Sequence, residues 1–265
     1  MAIKAQSFIF CVISVLILRT YSDPISPLDT QCGSVLSGVS GAISFKPFES
    51  YKMGERCIWV LRVPRAVSYD VVLYNRGLGT YDKIIATALN LDQAEKHTEL
   101  TTIDTSYAVN GSVAIITFYS YSTSASTTGF SLYYNAVLNE TNQVSFSSVD
   151  YVISSNSTSI RHPSVGGVYS NNELSTFVFT PNFQWVSGQQ LTVNVTVLGM
   201  EQNCDDVLSV YYLPGNINGA VWKKMGRICG VDDKVNLSNN GVILMVFQTD
   251  ESLVNSGFQL LFNSN

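Results

Sequence analysis

The stretch Gly241 to Phe262, GVILMVFQTDESLVNSGFQLLF, decides the fold. It opens on a run of apolar or near-apolar residues from Gly241 to Gln248. A polar hinge follows, Thr249-Asp250-Glu251-Ser252, and Gly257-Phe258 then starts a second apolar run. Short apolar runs bounded by polar residues and glycine read as strands. Two strands joined by a polar loop are therefore expected, with Phe247 and Phe258 facing a core. An earlier stretch, GSVAIITFYSYSTSASTTGFSLYY (Gly111 to Tyr134), has the same shape: strand, Ser/Thr-rich loop, Gly-Phe, strand. Gly129-Phe130 and Gly257-Phe258 lie about one domain length apart, which points to a tandem repeat.

The rest of the chain fits this frame. Short β-branched and aromatic runs recur, among them Cys57 to Val63, Tyr69 to Tyr74, Phe130 to Val137, Ser175 to Phe179, Leu191 to Leu198 and Val207 to Leu213. In Leu191-Thr-Val-Asn-Val-Thr-Val197 every odd position is apolar and every even one polar. That period of two predicts a half-buried strand with Asn194 on the solvent face. Only Leu91 to Thr101, LDQAEKHTELT, has helix-forming composition. The chain is expected to be all-β, with two tandem antiparallel β-sandwich domains of jelly-roll type. Residues 1–22 read as a signal peptide, 23–137 as the first domain, 138–163 as a linker with the first edge strand of the second domain, and 164–265 as the second domain.

The amino terminus carries Lys4 and then the nearly unbroken apolar stretch Phe8 to Leu18, with Thr20 and Ser22 as small residues for cleavage. This run is short of the roughly 20 residues a membrane span needs, so it reads as a secretory signal. No other stretch could span a bilayer, and the mature chain is expected in the extracellular space. Charged residues make up 13% of the chain and the net charge is −5. With no basic block, nucleic acid and anionic membranes are poor partners. Cys11 lies in the signal peptide, which leaves Cys32, Cys57, Cys204 and Cys229, an even number suited to an oxidising compartment. Three pairings are open. The two sequence-local ones, Cys32–Cys57 and Cys204–Cys229, put one bridge in each repeat, each worth about 3 kcal/mol in the chain-entropy account. Five N-glycosylation sequons, at Asn110, Asn139, Asn156, Asn194 and Asn236, also suit secretion.

A family resemblance rests on motifs in order. The first repeat runs Cys32-Gly33, Gly41 to Phe45, Tyr51, Cys57-Ile-Trp59-Val-Leu61, Tyr81-Asp82-Lys-Ile84 and Gly129-Phe130-Ser-Leu-Tyr133. The second has Cys204-Asp-Asp206-Val-Leu208, Gly226-Arg-Ile-Cys229-Gly230, and Phe247-Gln-Thr-Asp250-Glu-Ser252 before Gly257-Phe258. Together they resemble the CUB domain family, twice over. Two departures stand out. A full CUB domain has two disulfides, whereas the first repeat keeps only the first pair, with Gly79 in place of the third cysteine. The second repeat keeps only the second pair, with Ser175 in place of a cysteine.

The resemblance implies a calcium site in many such domains, built from a Glu after one strand, the Asp of the Tyr-Asp motif, and an Asp with a nearby Ser in the late loop. Calcium is a hard cation that takes six to eight oxygens, so carboxylates converging from separate loops can hold it. In the second repeat Asp206, Asp250 and Ser252 match, and Glu201 is the nearest candidate for the Glu, at a shorter offset than the family's. In the plain alternative, Asp250 caps a turn and Asp206 is a solvated strand end. In the first repeat Asp82 survives, but Tyr121 stands at the late-loop position and Asn75 or Tyr74 at the Glu position. One carboxylate does not hold calcium.

Enzyme chemistry finds no support in the motifs. The two histidines, His97 and His162, sit beside no nucleophile signature and read as surface residues. Ser40 lacks a nucleophile elbow, and Gly77-Leu-Gly79 lacks the rest of a phosphate loop. The expected function is non-enzymatic binding of an extracellular protein, with Asp250, Glu251, Tyr211 and Tyr212 as contact residues; for the tyrosines, packing is the plainer reading. The alternatives are a carbohydrate binder, with Trp222 as an exposed stacking residue, and a self-associating matrix component. Trp59 and Trp185 read as core or sandwich-edge residues.

Overall fold

The computed structural model describes residues 28–89, 95–121, 127–139, 147–154, 156–164, 166–180, 190–201, 203–215, 221–230, 234–239 and 241–264. The signal-peptide reading and Trp185 lie outside these. Among the described residues there is no helix, and the strands fall into two groups that pair only within themselves. The first group is β1 (Leu28–Asp29), β2 (Ser34–Leu36), β3 (Ser40–Ser50), β4 (Arg56–Arg62), β5 (Ala66–Arg76), β6 (Lys83–Leu89), β7 (Lys96–Glu99), β8 (Ser106–Val109), β9 (Val113–Tyr119) and β10 (Thr128–Leu138). The second is β11 (Asp150–Ile153), β12 (Ser157–His162), β13 (Leu174–Phe179), β14 (Leu191–Gly199), β15 (Val207–Leu213), β16 (Lys223–Ile228), β17 (Lys234–Asn239), β18 (Val242–Gln248) and β19 (Gly257–Ser264).

Each group makes two sheets. In the first, β1-β3-β10-β5-β8 faces β2-β4-β9-β6-β7; in the second, β12-β19-β14-β17 faces β11-β13-β18-β15-β16. Apart from β1, which has no counterpart among the described strands, the orders map onto one another, β2 to β11, β4 to β13, β9 to β18 and β6 to β15, so the tandem repeat is also a repeat of topology. Pairing is antiparallel except at three edges, where β1, β2 and β11 run parallel to their neighbours. The gap between the sheets of each sandwich is filled by aromatic and aliphatic side chains: Phe45, Trp59, Phe118 and Phe130 in the first, and Phe177, Phe247, Phe258 and Phe262 in the second. Cys32–Cys57 ties the segment before β2 to β4, and Cys204–Cys229 ties the segment before β15 to the segment after β16.

The Gly-Phe frame has a steric reason. A Cβ on Gly129 would lie 1.8 Å from the Phe45 carbonyl oxygen, and one on Gly257 would lie 2.0 Å from that of His162. Gly257 also has φ +72°, which a side chain disfavours. The following phenylalanines, Phe130 and Phe258, pair with Phe45 and His162 in register. His162 thus occupies in the second sandwich the place that Phe45 holds in the first.

Two local expectations need correction. Within Leu91 to Thr101, residues 96–99 form β7, hydrogen-bonded to β6 from Ile85 to Ala88, so edge pairing overrides helix propensity there. The segment 138–163 supplies two strands of the second sandwich, one to each sheet. β11 lies against β13, and β12 pairs with β19 along its full length.

The strand burial is of two kinds. β14 alternates buried and half-buried positions, as its sequence period requires. β4, β9 and β13 are buried at every position, and β6, β15 and β18 nearly so. Such strands must be covered on both faces. Their second faces meet each other. Ile58, Val60, Leu89, Val113 and Ile115 of the first sandwich pack against Leu174, Val178, Tyr211, Leu213, Trp222, Val242, Leu244 and Val246 of the second. The result is a four-layer stack of sheets. Trp222, 1% exposed, donates its indole Nε1–H to Thr117 Oγ1 at 3.0 Å across this face. Arg62, at the end of β4, makes a two-pronged contact with Asp150, at the start of β11.

Trp222→Ala is expected to cost about 3–5 kcal/mol and to resolve urea unfolding into two transitions, one per sandwich. A single transition with an unchanged midpoint would contradict a stabilising role for the shared face.

Candidate metal centre

The same clasp is built at one end of both sandwiches. In the first, Asp82 is fully buried after the β5–β6 connection. Its Oδ2 accepts from the Tyr51 hydroxyl and from Gly79 N at 3.0 Å, and its Oδ1 accepts from Tyr121 N. In the second, Asp206 is fully buried just before β15. Its Oδ2 accepts from the Tyr169 hydroxyl, and its Oδ1 accepts from Asp250 N at 3.1 Å. Each aspartate thereby ties the loop before its strand to the late loop that follows β9 or β18. Burial and the bond to Asp82 push Tyr51 up to about 12, and burial with the bond to Asp206 pushes Tyr169 further in the same direction.

Tyr169 was not singled out in the sequence. A signal for it exists: Tyr51 precedes Cys57 by six residues, and Tyr169 precedes Ser175, the residue in the cysteine's place, by six.

What separates the two ends is one position. Gly77 pairs with Gly129, and Gly199 pairs with Gly257. Two residues beyond these glycines stand Gly79 in the first sandwich and Glu201 in the second. Among the described residues Asp82 belongs to no group of three carboxylates, and it accepts from two N–H groups and a phenol. The Glu position assigned to Asn75 or Tyr74 is not there: Asn75 donates to the Pro47 carbonyl, and Tyr74 is exposed on β5. At the second end Glu201, Asp206 and Asp250 bring carboxylate oxygens within 4.8 Å of one another. Three carboxylates this close repel. Asp206 is raised by burial and by Asp250 and Asp205, against the bonds from Tyr169 and Asp250 N. Glu201, at the rim, is raised by desolvation and by Asp250, Asp206 and Asp205. Its Oε2 is shielded from solvent and accepts no hydrogen bond from the described residues. An open cleft of about 430 Å³, lined by Tyr169, Met200, Glu201, Asn203, Leu253, Val254 and Asn255, adjoins the cluster.

Ser252 plays a different part from a direct ligand. Its N–H and its hydroxyl both donate to Asp250 Oδ1, at 2.7 and 3.0 Å, and so orient that carboxylate. Asp206 is not a solvated strand end. Tyr211 is buried in the face between the sandwiches, and Tyr212 packs against the second core. The expectation of Trp222 as an exposed sugar-stacking residue is overturned by its burial in the same face, where an apolar partner sheet outcompetes solvent. The exposed sequons are Asn110, Asn139 and Asn156; Asn194 is half-buried on β14, and Asn236 lies in β17 in register with it.

His162 is not a surface residue. It is 3% exposed, and its ring contacts those of Phe177, Phe247 and Phe258. Its Nε2 lies 2.7 Å from Glu173 Oε1, a carboxylate oxygen that also accepts from Ser175. Glu173 in turn holds the late loop, its N–H donating to Thr249 Oγ1 at 2.8 Å and its carbonyl accepting from Thr249 N at 3.0 Å. The contacts of Glu173 with His162 and Ser175 thus replace part of the anchoring that a cysteine bridge would give. His97 lies on β7 with its Nδ1 3.1 Å from Thr87 Oγ1.

No protein-family profile matches the chain, and no curated protein matches it in sequence. Among solved structures it is similar to the CUB1-EGF-CUB2 region of human MASP-1/3 (17% identity, 86% of this chain and 100% of that one, TM-score 0.33). It is similar also to the CUB1-EGF-CUB2 domains of rat MASP-1 (16%, 87% and 99%, TM-score 0.34). The full extracellular region of zebrafish Gpr126/Adgrg6 matches at 12% identity over 89% of this chain and 37% of that one, with a TM-score of 0.35. At such scores neither the arrangement nor the activity of those proteins transfers to this chain.

Burial alone would raise the Glu173 carboxyl, but its contacts with His162 and Ser175 outweigh it and hold it below its ordinary 4.5. Stability from this group is therefore complete above about pH 4.5 and is lost as pH falls through the lower, folded value. His162→Phe keeps the aromatic packing of Phe45 but leaves Glu173 buried without its partner. It is expected to cost about 1–3 kcal/mol at neutral pH and to flatten the acid limb of stability, as read by urea unfolding at pH 7 and pH 4. A variant as stable as wild type at pH 7 would count against the pair.

Proposed function

We propose that the chain is a secreted, non-enzymatic binding protein of two CUB-like sandwiches. It holds one calcium ion at Glu201, Asp206 and Asp250 and engages an extracellular protein through the loops around that ion. The observation that carries this reading is the carboxylate triad with an unsatisfied, shielded oxygen on Glu201. Oxygen-only ligands from separate loops suit a hard divalent cation, and a cation would turn their mutual repulsion into attraction. Asp206 is held by Tyr169 and the Asp250 amide, and Asp250 by Ser252, so two of the three ligands are oriented before an ion arrives. Bound calcium would in turn brace residues 249–254, where Glu251, Leu253 and Val254 are exposed. A Lys or Arg of the partner, as the family resemblance implies, would find charge-assisted contacts there.

Two disulfides favour an oxidising compartment. No helix among the described residues is long and apolar enough to cross a membrane. The non-enzymatic reading is supported by the histidines: His162 is enclosed by aromatic rings, and the hydroxyl beside His97 belongs to Thr87, which is fully buried. Neither offers a base and nucleophile to a substrate.

Calcium that binds only the folded chain raises its stability by mass action. At ten to one hundred times a dissociation constant in the extracellular range, about 1.4–2.7 kcal/mol is expected, a Tm rise of roughly 3–10 °C. The carboxyls of Glu201 and Asp206 are raised, so without the ion their contribution is greatest at low pH and is lost as pH rises through their folded values. Glu201→Gln should therefore match or exceed wild type in chelator at pH 7, yet lose the calcium shift. A wild-type Tm indifferent to calcium would end this reading. Capture of an extracellular protein that chelator does not release would end its calcium-dependent part.

A further inference from the structure

An open strand edge presents unpaired N–H and C=O groups to any other strand, and chains guard such edges with short strands, charge or cover. Here the edges are guarded unequally. β1 and β2 have two and three residues. β7, KHTE, is charged at both ends, and Lys83 of β6 bridges to its Glu99 at 2.9 Å. β16, KKMGRI, carries Lys223, Lys224 and Arg227, and the register shifts where it meets Val210 and Tyr211. β11 is held at Asp150 by Arg62 of the first sandwich.

Three edges remain. β8, SYAV, has no charged residue; β12, STSIRH, has only Arg161; β17, KVNLSN, has only Lys234, at its first position. They end their sheets, and among the described residues no strand pairs with their outer sides. Each of the three, and none of the guarded edges, touches a sequon. Asn110 directly follows β8, Asn156 directly precedes β12, and Asn236 lies within β17. Asn110 and Asn156 are exposed. Asn156 is fixed to the end of β19, its carbonyl accepting from Ser264 N at 2.8 Å and its side-chain oxygen lying 3.2 Å from Ser264 Oγ. In a chain only 13% charged, the edges with at most one charged residue and no other guard are the edges with glycan acceptors.

We propose that N-linked oligosaccharides on Asn110, Asn156 and Asn236 cap the open edges of β8, β12 and β17 and keep the chain from associating strand to strand. A glycan is large, hydrated and cannot enter a ladder, so it does sterically what lysine does electrostatically on β7 and β16. The inference rests on entry into the secretory pathway, part of the function proposed above. The remaining sequons provide the contrast. Asn194 lies on β14, which is hydrogen-bonded on both sides by β17 and β19, and Asn139 follows β10, an interior strand. Sugars there guard no edge.

The test uses the full chain secreted from eukaryotic cells. Glycopeptide mass spectrometry should find Asn110, Asn156 and Asn236 occupied. The triple variant Asn110→Gln, Asn156→Gln, Asn236→Gln should form concentration-dependent oligomers in sedimentation at concentrations where wild type is monomeric. Asn139→Gln with Asn194→Gln should stay monomeric. Because the triple variant could fail to fold, folded wild type is also trimmed with an endoglycosidase that leaves one N-acetylglucosamine, and the same association is expected. Glycans at Asn139 or Asn194 but not at the three edge sites would overturn this inference and leave the secretory reading standing. So would occupied edge sites whose removal leaves a monomer. A chain with a retained amino-terminal segment and no glycan anywhere would overturn both.

Discussion

The outer faces of β4, β9 and β6 and of β13, β18 and β15 are largely apolar, and among the described residues each is covered by the other. This mutual burial is the constraint on which the architecture turns. A half-buried sandwich sheet shows water one face and can alternate polar with apolar residues, as β14 does. The six central strands have no such face, because Val60, Ile115 and Leu244 would otherwise lie in solvent. At about 25 cal/mol per Å² of apolar surface, exposing a face of this kind would be costly and would invite aggregation. Within it, the Trp222 indole N–H is satisfied by the Thr117 hydroxyl oxygen.

This packing also sets where the two loop ends lie. Arg62, Val63 and Ser112 stand at the end of the first sandwich opposite its Asp82 clasp. Arg62 meets Asp150, while Val63 and Ser112 share a cavity of about 120 Å³ with Glu173 and Thr249, beside the acidic end of the second. The two clasps therefore face away from each other. They share a buried aspartate, a tyrosine hydroxyl and a late-loop amide, and they differ in what surrounds the aspartate. Gly79 and Tyr121 leave Asp82 as a structural tie. Glu201 and Asp250 turn Asp206 into part of an acidic cluster. A duplicated frame thus carries one end for architecture and one with the chemistry of a cation site. The His162–Glu173 pair supports that second end from below, through Thr249.

Much of this was legible in the residues. Period two in Leu191 to Val197, the two Gly-Phe frames and the even cysteine spacing led to two all-β units, and the structure has those strands and both local disulfides. Asp206 and Asp250 are named together because the CUB-family resemblance implies it, and the pairing of β15 with β18 in the structure brings them to one end. The consecutive apolar runs Val113 to Phe118 and Val242 to Phe247 also held a signal of double-sided burial. That signal names no partner face, so Trp222 next to a glycine-rich turn read as exposed. His162 misled for a related reason: a histidine before a proline in a polar segment gives no hint that β12 lays it among three phenylalanines.

The sequence by itself determined the strand periodicity, the repeat, the loop compositions and the residue types at each clasp, because these depend on local chemistry and on spacing along the chain. Only the tertiary structure decided that the two sandwiches share one apolar face, that the oxygens of Glu201, Asp206 and Asp250 lie within 4.8 Å of one another, and that His162 is core. Those outcomes depend on which surfaces meet and at what register. That is set by the summed burial and hydrogen bonding of residues far apart in the chain, as with Trp222 and Thr117, and no window of neighbours contains it.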